Sequence, residues 1–123
     1  MTMHVRAVVA MAHVASVPAS IAFYGKLGFE PANTFTPQDA PEPSWASLQS
    51  GSAELMIAKA SQAMDAAQQA VLFYLYVDDV AEKHAELTAK GVAAGDIVYE
   101  FYAPRGEFRV VDPDGYTLMI THT

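Results

Sequence analysis

The sequence predicts an α+β fold assembled from two βαβββ modules, and three observations carry the prediction. The order of elements read along the first half begins again after about residue 70. The chain closes on a strong hairpin, Glu107 to Val111 and Tyr116 to Ile120 around the turn Asp112-Pro113-Asp114-Gly115. With 123 residues, 52% hydrophobic and 17% charged, the chain suffices for one compact domain but not for two ordinary ones. One domain over 1–123 is expected, with modules at about 1–60 and 70–123.

Arg6 to Val14 is apolar without helix signals and reads as a buried strand. Ser16 caps a helix with Pro18 in its first turn, and Val17, Ile21, Tyr24 and Leu27 recur at helical spacing. Gly28 ends that helix, and Phe29-Glu30-Pro31 leads outward. Thr36 to Pro43, with three prolines, reads as a loop. Trp45 to Gln49 and Ala53 to Ala58 are short strands joined by Ser50-Gly51-Ser52. Lys59 to Ala70 reads as a linker with room for one helical turn. Val71 to Val77 is the next strand, and Asp78-Asp79 cap a helix in which Val80, His84 and Leu87 share a face. Lys90-Gly91-Val92 ends it, and Ile97 to Tyr102, Glu107 to Val111 and Tyr116 to Thr121 supply three more strands. Two such units, each with one apolar sheet face, are driven to pack and enclose a cleft.

The net charge of −7 disfavours nucleic acid as a partner. An acidic surface draws cationic small molecules, or simply keeps the chain soluble. The apolar runs fall far short of a membrane span, so no membrane partner is expected. Met1-Thr2-Met3-His4-Val5-Arg6 carries no secretory pattern, which makes a cytoplasmic protein the default expectation. The absence of cysteine removes disulfides, thiolate metal sites and cysteine nucleophiles.

Two motifs, Ile21-Ala22-Phe23-Tyr24-Gly25-Lys26-Leu27-Gly28-Phe29 and Asp112-Pro113-Asp114-Gly115, stand in this order around the repeated pattern. In that arrangement the whole chain resembles the vicinal oxygen chelate superfamily: glyoxalase I, extradiol dioxygenases, fosfomycin-resistance enzymes and bleomycin-resistance proteins. The resemblance implies the glyoxalase/bleomycin-resistance fold, in which paired modules form a curved sheet cup around the ligand. Because many members build that cup from two chains, it also implies a homodimer. Enzymes of the superfamily hold a divalent metal with His, Gln or Glu side chains. The matching positions here are Val9, Glu54, Leu72 and Met119. Three of the four offer no hard donor, so no metal and no cofactor is expected. The chain is closest in character to the metal-independent, bleomycin-resistance-like members.

Strand alternation puts Val9, Met11 and His13 on one face, and likewise Glu54 with Met56. It does the same for Leu72, Tyr74 and Tyr76, and for Thr117, Met119 and Thr121. The resemblance makes these the faces that line the cup, an apolar, tyrosine-rich centre with Glu54 as its main buried charge. Trp45, Phe101, Tyr102 and Phe108 are candidates for aromatic walls, and Trp45 fits core packing as well. Glu54 suits either an amine or guanidinium ligand, or an arginine at a strand end. His13 reads as an edge residue, and Arg105 as a loop residue able to bind an anion or stay solvated. The candidate ligand-binding set is therefore His13, Trp45, Glu54, Met56, Tyr74, Tyr76, Tyr102, Arg105 and Met119, with no catalytic residue assigned.

These readings favour a metal-independent protein that sequesters an aromatic or cationic small molecule, with antibiotics among the candidates. The alternative is an isomerase, lyase or dioxygenase-type enzyme of the same superfamily. No nucleophile–base–orienter set is visible to support it.

Overall fold

The structure, a computed structural model, describes residues 2–122. Its contacts divide into two compact units, one running to Ala63 and the other beginning at Met64. The first contains β1 (Met11–Val14), α1 (Val17–Leu27), β2 (Glu30–Phe35), β3 (Trp45–Ser50) and β4 (Ala53–Lys59). A single 3-10 turn, Ala66–Gln68, follows. The second contains β5 (Leu72–Tyr76), α2 (Val80–Ala89), β6 (Glu107–Val111) and β7 (Thr117–Thr121). Two small mixed sheets, each with one helix, make the α+β fold the sequence predicts.

In the first unit the strands run in the order β1-β4-β3-β2, with β1 parallel to β4 and the other pairs antiparallel. Local chemistry sets the helix. Ser16 Oγ accepts from Ala19 N at 3.2 Å, and Gly28 sits at φ 109°, where its missing Cβ avoids strain. The Phe29 amide then donates back to Tyr24 O at 3.0 Å, closing a Schellman-type end. Val17, Tyr24 and Leu27 are buried together with Val14, Leu48 and Ile57. The opening strand is shorter than predicted. Only Met11–Val14 is regular, and residues 2–10 form no regular element. β4 starts at Ala53, just after the Gly51-Ser52 turn. In the parallel register that pairs Met11 with Met56, residues 2–7 therefore have no β4 residue across from them.

The second unit has the order β5-β7-β6, again with a parallel pair (β5 and β7) and an antiparallel hairpin. The strand expected over Ile97 to Tyr102 does not form. In place of a continuous ladder, two isolated bridges join residues 94–98 to β6, Ala94–Val110 and Val98–Glu107. Four steps on one side span three on the other, so the ladder slips by a residue between the bridges. The chain then turns, with Ala103 N donating to Glu100 O at 3.0 Å, and Pro104 has no amide to extend a ladder. Leu87, Phe108, Val110, Leu118 and Ile120 form the core of this unit. Phe108, a candidate cleft wall in the sequence, is 1% exposed core that also borders a pocket of this unit, whereas Phe101 is 93% exposed.

The closing turn is held by one carboxylate. Asp112 Oδ1 accepts from the amides of Asp114 and Tyr116, both at 2.9 Å. The Asp112 amide donates to Tyr116 O at 2.9 Å, which sets the register pairing Val111 with Thr117 and Arg109 with Met119. Among the described residues no helix is long and apolar enough to cross a membrane.

Candidate functional site

The side chains of the second sheet fall into cross-strand rows. Tyr74 pairs with Met119, and Met119 with Arg109; one row along, Tyr76 pairs with Thr121, and Thr121 with Glu107. Phe108 and Val110 alternate with Glu107 and Arg109, so the two polar residues leave the core face and share the open one. A pocket of about 440 Å³ lies over this face. From the sheet it is lined by Leu72, Tyr74, Met119, Arg109 and Glu107. Its other wall is the irregular stretch before β6, which contributes Asp96, Val98, Glu100 and Tyr102. Met119 is 7% exposed and supplies an apolar floor.

Glu107 is the buried carboxylate of this pocket, 4% exposed. Its Oε1 accepts a hydrogen bond from the Tyr102 hydroxyl at 2.9 Å, while Oε2 has no hydrogen-bond partner among the described residues. The charge acts back on the phenol. Its pKa, ordinarily 10.0, is pushed up to about 12, first by the bond to Glu107 and then by lost solvation. Folding therefore favours the protonated phenol. That contribution to stability is complete below the unfolded pKa near 10.0 and is lost as pH rises through about 12. Ultraviolet titration of the phenolates should find one of the six tyrosines ionising near 12. Glu107→Gln should return that tyrosine toward 10.0, and an unchanged curve would mean the hydrogen bond is not the cause.

The predicted site residues fall into separate sets. Tyr74, Tyr102 and Met119 line the pocket. Tyr76 stands one row along, 60% exposed, with its ring 6.3 Å from that of Tyr74. Arg105 lies outside the pocket lining, where its amide donates to His122 Nε2 at 3.0 Å and its guanidinium is 2.9 Å from His122 Nδ1. His13, Trp45, Glu54 and Met56 belong to the first unit, on the face of its sheet opposite Ala46, Leu48 and Ile57. There Trp45 pairs with Ala58, which also pairs with His13, and Trp45 is half-buried. Glu54 is not the main buried charge. It is exposed, and its partner is the Ser47 hydroxyl at 3.0 Å rather than an arginine.

Sequence reasoning passed over Glu107 and Arg109, although a signal for both existed. They alternate with Phe108 and Val110, and the closing turn sets the register that puts Arg109 across from Met119. Asp96 and Glu100 carry no such signal, because the stretch bearing them has no strand period. The donor set implied for a family metal does not fit one. Val9, Leu72 and Met119 supply no hard donor, and Glu54 is exposed and bonded to Ser47. Among the described residues no three His, Asp or Glu side chains gather as a metal site.

The model of the Glyoxalase/Bleomycin resistance protein/Dioxygenase superfamily matches residues 6–120. No curated protein matches the chain. Among solved structures, a bleomycin resistance determinant encoded on the transposon Tn5 is similar at TM-score 0.78 and 20% identity, covering 97% of this chain and 98% of that one. The bleomycin-binding protein of Streptomyces verticillus, complexed with copper(II)-bleomycin, gives TM-score 0.72 and 22% identity, covering 100% and 99%. An antibiotic-binding protein from Streptomyces sp. CB03234 gives 0.75 and 18%, covering 98% of each chain. At these identities the likeness is one of fold.

Proposed function

The chain belongs to the glyoxalase/bleomycin resistance protein/dioxygenase superfamily, and from that premise we propose that it is a metal-independent binding protein for an aromatic or cationic small molecule. The observation that carries the reading is the pocket of the second unit, with Met119 as an apolar floor and Tyr74 and Tyr102 in its lining. Its volume suits a small organic ligand, and flat tyrosine rings with polar tips suit planar ones. The ligands named for several similar structures, bleomycin among them, support the class and leave the compound open. His13, Trp45, Glu54 and Met56 on the first sheet, and Tyr76 and Arg105 on the second unit, are proposed as further ligand contacts. A cytoplasmic homodimer completes the proposal, supported by exposed Met11, Leu72, Tyr74 and Tyr76 on the open sheet faces. Tyr102 is a poor candidate for a catalytic base, because Glu107 holds its proton to about pH 12.

Thermal-shift measurements against zinc, nickel and manganese, and against bleomycin with a panel of aromatic compounds, test the reading. An aromatic ligand at a hundredfold its Kd should raise the midpoint by roughly 8 °C, and Tyr74→Ala should abolish that rise. A large shift with a divalent metal, lost in Glu54→Gln, would sink the metal-independent reading. Sedimentation of the same samples at micromolar concentration should give the mass of two chains, and a monomer refutes the dimer.

A further inference from the structure

We propose that the pocket of the second unit is an ammonium site, and that Glu107 Oε2 anchors the N–H donors of an aromatic amine lying among its tyrosines. This rests on the reading of that pocket as the ligand site, and it names the ligand class and the anchor. Four observations point the same way.

First, Oε2 is a carboxylate oxygen withdrawn from solvent and left without a hydrogen-bond partner among the described residues. Buried polar atoms are almost always satisfied, so an orphan at a pocket wall marks a place where something else binds. Second, the groups beside it are otherwise engaged. Tyr102 donates to Oε1, and Thr121, the cross-strand neighbour of Glu107, donates its hydroxyl to Gly106 O at 3.1 Å. Third, the charge of Glu107 is not balanced from within. Arg109 lines the same pocket, yet no ion pair joins it to Glu107 among the described residues. Asp96 and Glu100 add carboxylates to the lining, so three acidic groups face one guanidinium. Fourth, Tyr74 and Tyr102 bring aromatic rings, whose faces attract cations as well as apolar rings.

These features choose among ligand classes. An anion meets an unfavourable field. A divalent metal lacks donors, since Glu107 is the one carboxylate here that is buried and has an oxygen to spare. A neutral aromatic compound can fill the pocket but leaves Oε2 unpaired, which wastes the full cost of its desolvation. A quaternary ammonium brings charge but no hydrogen to donate. A primary or secondary ammonium satisfies the oxygen and the charge together.

Three probes of one aromatic skeleton test this: 2-naphthylmethylammonium, its N-trimethyl derivative and neutral 2-(methoxymethyl)naphthalene, which has no donor, each titrated into the full chain by amide NMR. The ammonium probe should bind on the order of tenfold tighter than either of the others, with shifts at Met119 and Tyr74. Glu107→Gln should erase that advantage, bringing the ammonium down to the level of the donor-free ether. Tyr102→Phe, which removes the phenol and keeps the carboxylate, should preserve it. If Glu107→Gln fails to fold, the ratio among the three probes on the unmodified chain decides alone. Equal binding of all three at the pocket overturns the ammonium site and leaves the ligand-binding reading standing. No pocket shifts with any probe overturns the ammonium site, and if the aromatic panel also fails to bind, the ligand-binding reading falls too.

Discussion

Phe108→Ala is expected to lower the stability of the chain by about 4 kcal/mol, a drop in thermal midpoint of roughly 10–15 °C. Phe108 is 1% exposed, and its ring meets the edge of His84 at a centroid distance of 4.9 Å. Truncation leaves a cavity that Val110, Leu118 and Ile120 cannot close without moving a strand ladder. It also removes the support of His84, whose Nε2 lies 2.8 Å from Gly95 O at the start of the pocket's outer wall. The same change at Phe101, 93% exposed, should cost no more than ~0.5 kcal/mol. Circular dichroism melts of the two variants decide the matter. Similar small losses in both would mean that Phe108 does not belong to the core.

Gly115→Ala should cost about 3 kcal/mol, from left-handed strain of ~1–2 kcal/mol together with overpacking. Gly115 sits at φ 88°, and a Cβ there would lie 2.7 Å from Ala66 Cα and 3.2 Å from its carbonyl oxygen. That neighbour is backbone and cannot rotate aside. Gly51 provides the control. Its φ is 59°, but a Cβ there meets nothing within 4 Å, so Gly51→Ala should show the strain alone, about 1 kcal/mol. Urea denaturation of both variants separates the two causes. Equal losses would remove the close approach of Ala66 from the account.

The turns and caps are legible from the sequence because their chemistry is local. Ser16, Gly28, Asp79 and Asp112 each act within a few residues of their own position. The alternation of Tyr74 and Tyr76 with Phe73 and Leu75 is equally readable, and with it the face Tyr74 shares with Met119. Ile97 to Tyr102 shows the limit. Its composition suits a strand, but a strand needs a continuous partner, and within it Val98 alone bridges β6, slipped by a residue from the bridge at Ala94.

Glu54 and Glu107 show the same limit for charge. Both stand on strands, next to Leu55 and Phe108, and the sequence offers no ground to bury one and expose the other. Burial is decided by what covers a residue. Glu107 is bridged to Val98 and bonded to the Tyr102 hydroxyl, both on a stretch that follows α2, whereas Glu54 stays exposed beside Ser47.

By itself, then, the amino-acid sequence determines a strand followed by a capped helix in each half, together with the closing turn and its register. Those properties follow from backbone preference, side-chain period and atom type, which need no distant partner. The tertiary structure decides that Phe108 is core, that residues 97–102 wall a pocket instead of extending a sheet, and that Glu107 is the buried carboxylate. These depend on which residues, far apart in the chain, exclude water from one another.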